Sequence, residues 1–272
     1  MHLLALPQED VLFPHVLSCL SVQSLFLLRG TCRDLRDAVD RYLGRLRVLD
    51  LAGNNCITRE AIQVLSDHAG GLAELDLSQC KWTEDSTVRP IIAASPRMRR
   101  VSLAGCQSLG NPVIQTLAVT CKGLTELVLR DCCWLSPSAL QVLNLHLRHL
   151  VRLDLAGCWG VNDATLAELF SEQPSLEEVD ISRIYATTDR TVAILSCQCP
   201  RVRRLGLRGC WRITDHAITY VAEYLRQLTH LEVIDCRDVT ERTLRALRAR
   251  CAVDRPEPRA HPWEMDYPLY QI

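Results

Sequence analysis

One spacing constrains this chain more than any other property. Apolar residues follow the pattern L-x-x-L-x-L at Leu46/Leu49/Leu51, Leu72/Leu75/Leu77, Met98/Val101/Leu103 and Leu124/Leu127/Leu129. They continue at Leu150/Leu153/Leu155, Leu176/Val179/Ile181, Val202/Leu205/Leu207 and Leu228/Leu231/Val233. Successive starts lie 26 residues apart, with no insertion or deletion. After each copy comes a residue suited to open a helix, at Thr58, Ser136, Asn162, Thr188, Thr214 and Thr240, with Glu84 and Gly110 filling the same column. Four residues on stands an all-apolar column, Ile62, Val88, Ile114, Leu140, Leu166, Val192, Ile218 and Leu244. Three further on is another, Leu65, Ile91, Leu117, Leu143, Leu169, Leu195, Val221 and Leu247. An i, i+3 spacing gives a helix one buried stripe. Each copy thus predicts a short strand followed by a helix, and neither can bury its apolar face alone. Stacked in series they predict an α/β solenoid with parallel strands on the concave side and helices on the convex side.

Three residues past each apolar triplet stand Asn54, Cys80, Cys106, Cys132, Cys158, Ile184, Cys210 and Cys236, so six of the chain's 14 cysteines form one column. The pattern L-x-x-L-x-L-x-x-C with a capped helix behind it resembles the cysteine-containing subtype of leucine-rich repeat, and the resemblance implies a right-handed solenoid. Small, weakly polar core residues account for the column, since free cysteine is among the most buried residue types. Asn54 and Ile184 share it, a scatter that metal ligation would not tolerate. Zinc sites want close ligand pairs in duplicate; the chain offers Cys132-Cys133, Cys197-x-Cys199 and His146-x-x-His149, none matched by a second pair. No metal and no cofactor are expected. Nor does the chain contain G-x-S-x-G, G-x-x-x-x-G-K-[ST] or H-E-x-x-H, and it reads as non-catalytic.

Charge narrows the partner. Lys plus Arg number 31 against 32 Asp plus Glu, so there is no cationic excess of the kind that displaces counterions from nucleic acid. No window approaches ~18 uninterrupted apolar residues, so no membrane span is expected. The apolar start Met1-His2-Leu3-Leu4-Ala5-Leu6 meets Pro7, Glu9 and Asp10 before a leader core can form. The reading is an intracellular protein with reduced thiols, in the cytoplasm with the nucleus open to it.

Strand side chains alternate, so the residues flanking the inward leucines face outward. One outward column, Glu74, Arg100, Glu126, Arg152, Glu178, Arg204 and His230, predicts a cross-strand ladder of alternating charge. The next is one-sided, with Asp50, Asp76, Asp154, Asp180 and Glu232, and beyond it lie Arg130 and Arg208. Together they predict a mildly acidic groove able to hold a protein substrate with a basic patch. The alternative is that the groove binds nothing and that contacts come from the loops.

Residues 3–43 fall outside the period and predict three short helices, Gln8 to Leu20, Val22 to Arg29 and roughly Arg33 to Tyr42. Val11, Leu12, Val16, Leu17 and Leu20 lie along one side of the first. A module of about 40 residues sits at the lower limit of independent stability, so it should lean on the repeats or on a partner. The run Leu6-Pro7-x-Glu9, the apolar helix ending at Leu20, Leu25 with Leu28, and Thr31-Cys32-Arg33-Asp34-Leu35 resemble an F-box. Thr31 and Leu35 stand where that family usually has valine and an aromatic residue.

F-box and repeats in this order resemble the F-box and leucine-rich-repeat family. The resemblance implies the substrate-recognition subunit of a Skp-cullin-F-box ubiquitin ligase, acting as one copy within the complex. The F-box would bind the Skp adaptor, and through it a cullin and a RING subunit, while the repeats hold a substrate for ubiquitination and degradation. Adaptor contacts would then fall on Leu6, Pro7, Leu12, Val16, Leu17, Leu20 and Leu25. The alternative is a repeat-only binding scaffold uncoupled from ubiquitination.

The expected division is therefore F-box 3–43, repeats 44–251 and a Pro-rich tail 252–272. In the tail, DRPEPRAHPWEMDYPLYQI, four prolines exclude a helix. Two readings stay open: a solvated arm, or one that caps the last repeat or folds back into the groove, with Arg255 and Arg259 near its acids.

Overall fold

The computed structural model describes residues 6–55, 57–68 and 70–255, with Arg59 described by its backbone alone. Its repeats form one nine-stranded parallel sheet whose strands lie in sequence order. These are β1 (Val48–Asp50), β2 (Glu74–Asp76), β3 (Arg100–Ser102), β4 (Glu126–Val128), β5 (Arg152–Asp154), β6 (Glu178–Asp180), β7 (Arg204–Gly206), β8 (His230–Glu232) and β9 (Ala252–Val253). Before them stand α1 (Val22–Arg29) and α2 (Arg33–Leu43). Between them run α3 (Arg59–His68), α4 (Asp85–Ala94), α5 (Asn111–Thr120), α6 (Pro137–His146), α7 (Asp163–Ser171), α8 (Asp189–Gln198), α9 (Asp215–Tyr224) and α10 (Glu241–Arg248).

Register follows the period: Leu49 faces Leu75, Leu75 faces Val101, and so on to Leu205 with Leu231. The central strand residues and both helical columns are almost wholly buried and belong to a single continuous core. The N-terminal segment opens with a π-helical stretch over Gln8–Val16 and a 3-10 turn over Leu17–Cys19, followed by α1 and α2. Its Leu12, Leu17, Leu25, Val39 and Leu43 join the same core as the repeats, so the module leans on the solenoid as its size requires. Arg29 grips Asp40 through two hydrogen bonds of 2.7 and 3.2 Å, and Arg45 of the first repeat reaches Glu9 at 2.6 Å.

Neighbouring repeats are joined by three recurring side-chain bonds. First, in six of the eight copies a buried cysteine donates its thiol to the carbonyl at the strand end of the preceding copy. Cys80 reaches Leu51 O (2.9 Å), Cys106 Leu77 O (3.0 Å), Cys132 Leu103 O (3.2 Å), Cys158 Leu129 O (3.0 Å), Cys210 Ile181 O (3.3 Å) and Cys236 Leu207 O (3.0 Å). Cysteine supplies a small buried side chain with a donor at these six positions, while Ile184 fills the column without one. Second, the residue opening each of the later helices ties to the next copy. Asp163 accepts from Thr188 N and Oγ1, Asp189 from Thr214, and Asp215 from Thr240. The hydroxyls of Thr188 and Thr240 serve these bonds, and neither side chain caps its own helix; Ser136 and Asn162 do cap theirs, as expected. Third, indoles cross the repeat boundary: Trp82 Nε1 donates to Asn54 O and Trp134 Nε1 to Cys106 O, each at 2.6 Å.

The turn after each strand needs a positive φ, and alternate copies meet the need differently. Gly53, Gly105, Gly157 and Gly209 take it with glycine; Gln79, Asp131, Arg183 and Asp235 take it with a side chain. The reason is visible at Gly105 and Gly157, where a Cβ would collide with the Gln79 and Asp131 side chains of the preceding copy. Over Gly157, Arg183 closes the bridge with an ion pair to Asp131 at 2.7 Å, linking copies two apart.

The sequence period stops at Cys251, yet the sheet does not. Ala252 and Val253 pair with His230 and Leu231, four residues ahead of the period. Asp254 Oδ1 then accepts from Val233 N (2.6 Å), and Arg255 donates to the carbonyls of Val239 and Cys236, closing the end of the eighth repeat. The remainder of the tail reading, including Arg259, lies outside the described residues.

Gly53→Ala and Gly157→Ala share the positive φ but differ in space, since nothing lies within 4 Å of a Cβ at Gly53. Gly53→Ala should cost about 1–2 kcal/mol and Gly157→Ala roughly 1–3 kcal/mol more in urea unfolding. Adding Asp131→Ala should bring the second variant back towards the first.

Candidate functional site

The sheet face carries the candidate substrate residues as the alternation dictates. Glu74, Arg100, Glu126, Arg152, Glu178, Arg204 and His230 are Cα partners in unbroken succession. Arg100 bridges Glu74 (3.6 Å) and Glu126 (3.2 Å), and Arg152 meets Glu178 at 3.7 Å. These pairs are partly exposed and each contributes about 0–1 kcal/mol. Their effect is to hold register and to present a polar face that is neutral along this column.

The acidic column is built differently from its sequence reading. One oxygen of each aspartate serves the chain's own turn: Asp50 accepts from Ala52 N, Asp76 from Ser78 N, Asp154 from Ala156 N and Asp180 from Ser182 N, at 2.8–3.0 Å. In the second half of the face the other oxygens are taken as well. Arg130 reaches Asp154 at 2.8 Å and Asp180 at 2.5 Å, while Arg208 reaches Glu232 at 3.0 Å and Asp254 at 2.8 Å. The side chain of Asp180 leans over Gly206, where a Cβ would strike it, which is why the column breaks there. Asp154 and Asp180 are therefore not free acids awaiting a basic partner. The unneutralised acids sit at Asp50 and Asp76, which make no ion pair among the described residues.

Burial raises the Asp154 carboxyl above the ordinary carboxylate range, and the Asp180 charge adds to the rise; the Ala156 N–H and Arg130 oppose it. Burial likewise lifts the column thiols, to about 11 for Cys80 and Cys236 and about 12 for Cys158 and Cys210. They stay protonated, as donors must, and are poor nucleophiles. Among the described residues no group of three or more His, Cys, Asp or Glu side chains is placed to hold a metal ion.

At the N-terminal module the seven candidate adaptor residues separate. Leu12, Leu17 and Leu25 are buried in the core. Packed inside their own module, these three present little surface to a partner in this structure. Leu6, Val16 and Leu20 are half-buried, and Pro7 is exposed. The open apolar surface lies elsewhere, on α1 and the start of α3: Leu27 is 76% exposed and shares a shallow cleft with Val22, Phe26, Ile57 and Ala61. Sequence reading marked apolar residues but could not tell inward from outward on an eight-residue helix. A second missed surface is the position just past the cysteine column, where Trp159, Tyr185 and Trp211 stand exposed in consecutive copies. Their shared place in the period was the available signal.

No family model matches the chain. Over 111 residues it is 41% identical to F-box/LRR-repeat protein 15 of Mus musculus and to that of Rattus norvegicus, covering 40% of this chain and 37% of each relative. The match thus spans well under half the length of these relatives. Among solved structures, one from the crystal structure of the Rad7 and Elc1 complex in yeast superposes with a TM-score of 0.62 at 16% identity, over 86% of this chain and 71% of that one. Together with the geometry above, this neighbour fixes the fold as a leucine-rich-repeat solenoid, and the curated relatives support the resemblance to F-box and leucine-rich-repeat proteins.

Arg130→Ala should strand Asp154 beside Asp180. With the arginine half-exposed, the expected cost is about 2 kcal/mol at pH 7. The variant's Asp154 pKa rises further above its unfolded value, so the penalty is full above that folded pKa and shrinks as pH falls through it. Urea melts at pH 7 and pH 5 should show the gap to wild type narrowing, and adding Asp154→Asn should close most of it at pH 7.

Proposed function

Taking the chain as a leucine-rich-repeat protein that resembles the F-box and leucine-rich-repeat family, we propose that it serves as the substrate-recognition subunit of a Skp-cullin-F-box ubiquitin ligase. In this reading the N-terminal helices bind the Skp adaptor and through it a cullin and a RING subunit, and the repeats hold the protein to be ubiquitinated. The observation that carries it is exposed apolar surface on α1: Leu27, exposed at 76%, opens a shallow cleft lined also by the half-buried Phe26 and Val22. Covering one leucine of that kind contributes about 1.5–3 kcal/mol, so a partner burying this face has a driving force. The names of the curated relatives, which carry the F-box, support the same reading.

The chain contributes no bond-making group in this proposal. It supplies proximity: a substrate held on the solenoid raises the effective concentration of its lysines near the thioester of the conjugating enzyme. The single rigid core running from the helical module through the repeats suits that task, because a fixed spacing between adaptor and substrate keeps the lysines within reach. An intracellular location follows from the reading.

The test is co-purification of the full chain with the Skp adaptor. Leu27→Asp should abolish it while leaving the melting temperature within a few degrees of wild type, because the side chain is largely exposed. Leu17→Asp, in contrast, should unfold the module. Failure of the wild-type chain to bind the adaptor would overturn the ligase reading and leave the repeat-only scaffold.

A further inference from the structure

The loops that follow β5, β6 and β7 carry an exposed aromatic row. Trp159 is 61% exposed, Tyr185 46% and Trp211 54%, each standing one residue past the cysteine-column position. Tyr185 and Trp211 lie 5.6 Å apart between ring centroids with their planes tilted by 58°, the geometry of a packed aromatic pair. Trp211 Nε1 donates to Tyr185 O at 3.3 Å, so the row is braced by a hydrogen bond between repeats. Large aromatic faces left in water on consecutive copies are costly to expose and mark interaction sites. An aspartate follows each loop, Asp163, Asp189 and Asp215, with its carboxylate taken by the threonine that opens the next helix. Residues 156–162, 182–188 and 208–214 contain Arg183, Arg208 and Arg212 and no carboxylate. Arg183 and Arg208 are engaged by acids outside these three loops, and Arg212 makes no ion pair among the described residues.

We propose that this edge binds an extended, proline-bearing peptide that carries acidic residues, presented by a partner protein. The spacing favours it. Neighbouring strands lie about 4.8 Å apart, so the strands behind the outer two rings, two copies apart, are separated by roughly 10 Å. A polyproline II helix has three residues per turn and rises 3.1 Å per residue, so it returns to the same face every ~9 Å. Prolines at i and i+3 would meet Trp159 and Trp211 in turn, with Tyr185 filling the step between. Aromatic-lined grooves receive such segments because the peptide is already extended and loses little entropy on binding. Acids on the flanking face of the peptide would meet Arg212 and the outer side of Arg183. Nucleic acid fits less well, because one uncommitted arginine among these loops offers few phosphate contacts. The proposal rests on the receptor reading for its view that the repeats hold a partner, but its test uses no adaptor, so either can fail alone.

The experiment titrates the full chain with a fluorescein-labelled decapeptide of alternating proline and glutamate, read by anisotropy and by tryptophan emission. Saturable binding with quenched emission is expected. Trp211→Ala should weaken it at least tenfold, Arg212→Glu at least fivefold with the rings in place, and replacing glutamate by lysine in the peptide at least tenfold. Circular dichroism keeps folding defects apart from binding defects, and the charge variant does not touch the packing of the loops. Absence of saturable binding by the wild-type chain, equal binding of the lysine peptide, or unchanged affinity in both variants would overturn the proposal. So would sedimentation showing a dimer that Trp211→Ala dissociates, since the face would then belong to a second copy.

Discussion

The thiol of each column cysteine donates to the carbonyl that ends the preceding strand, and the architecture hangs on that kind of exchange. A strand three residues long cannot satisfy its own backbone, and a helix of eight to ten residues cannot bury its own stripe. Each copy is completed by its neighbour through parallel pairing, and different copies add the thiol, a helix-start aspartate or an indole reaching back across the boundary. An unmet buried polar group costs about 1–3 kcal/mol, so every copy that lacks a neighbour is penalised several times over. That is why the two ends are built unlike the middle. At the front the helical module extends the same core; at the back a strand that arrives early, with Asp254 and Arg255 behind it, supplies the bonds that a ninth repeat would have made.

Most of the fold was legible because the period writes it out. Leucine columns at fixed offsets assign strand, turn and helix together, and a register with no insertion needs no further choice. The closing strand was not legible, because Ala252–Val253 breaks the spacing and Asp254 occupies the place where a leucine would announce another copy. The thiol bonds were not legible either: the column says small and buried, whereas the donor role depends on where the previous carbonyl points.

The candidate site divides along the same line. The alternating ladder is a consequence of register and could be read directly. What Arg130 does could not, since it reaches carboxylates 24 and 50 residues away, and only the stacking distance brings them to one side chain. Thus a column that counts as acidic by composition is partly neutral in space, and the aspartates without an ion pair among the described residues are Asp50 and Asp76, on the first two strands. In that module, hydrophobicity located the apolar residues, but a face is a property of packing. Leu25 turns inward and Leu27 outward though both read alike in sequence.

The alternation of glycine and side-chain-bearing residues at the left-handed turn has a further implication. Glu and Arg alternate along the sheet with the same rhythm, so neither feature repeats every 26 residues; both repeat every second copy. The effective building block is a pair of repeats. Excising one arginine-bearing copy would bring glutamate to face glutamate and set two bulky turn residues against one another, and excising a glutamate-bearing one would set arginine against arginine, whereas removing a pair keeps the alternation. A chain of this kind can grow or shrink smoothly only by even steps, so its length is quantised in double repeats and the span of its binding face changes in the same increments.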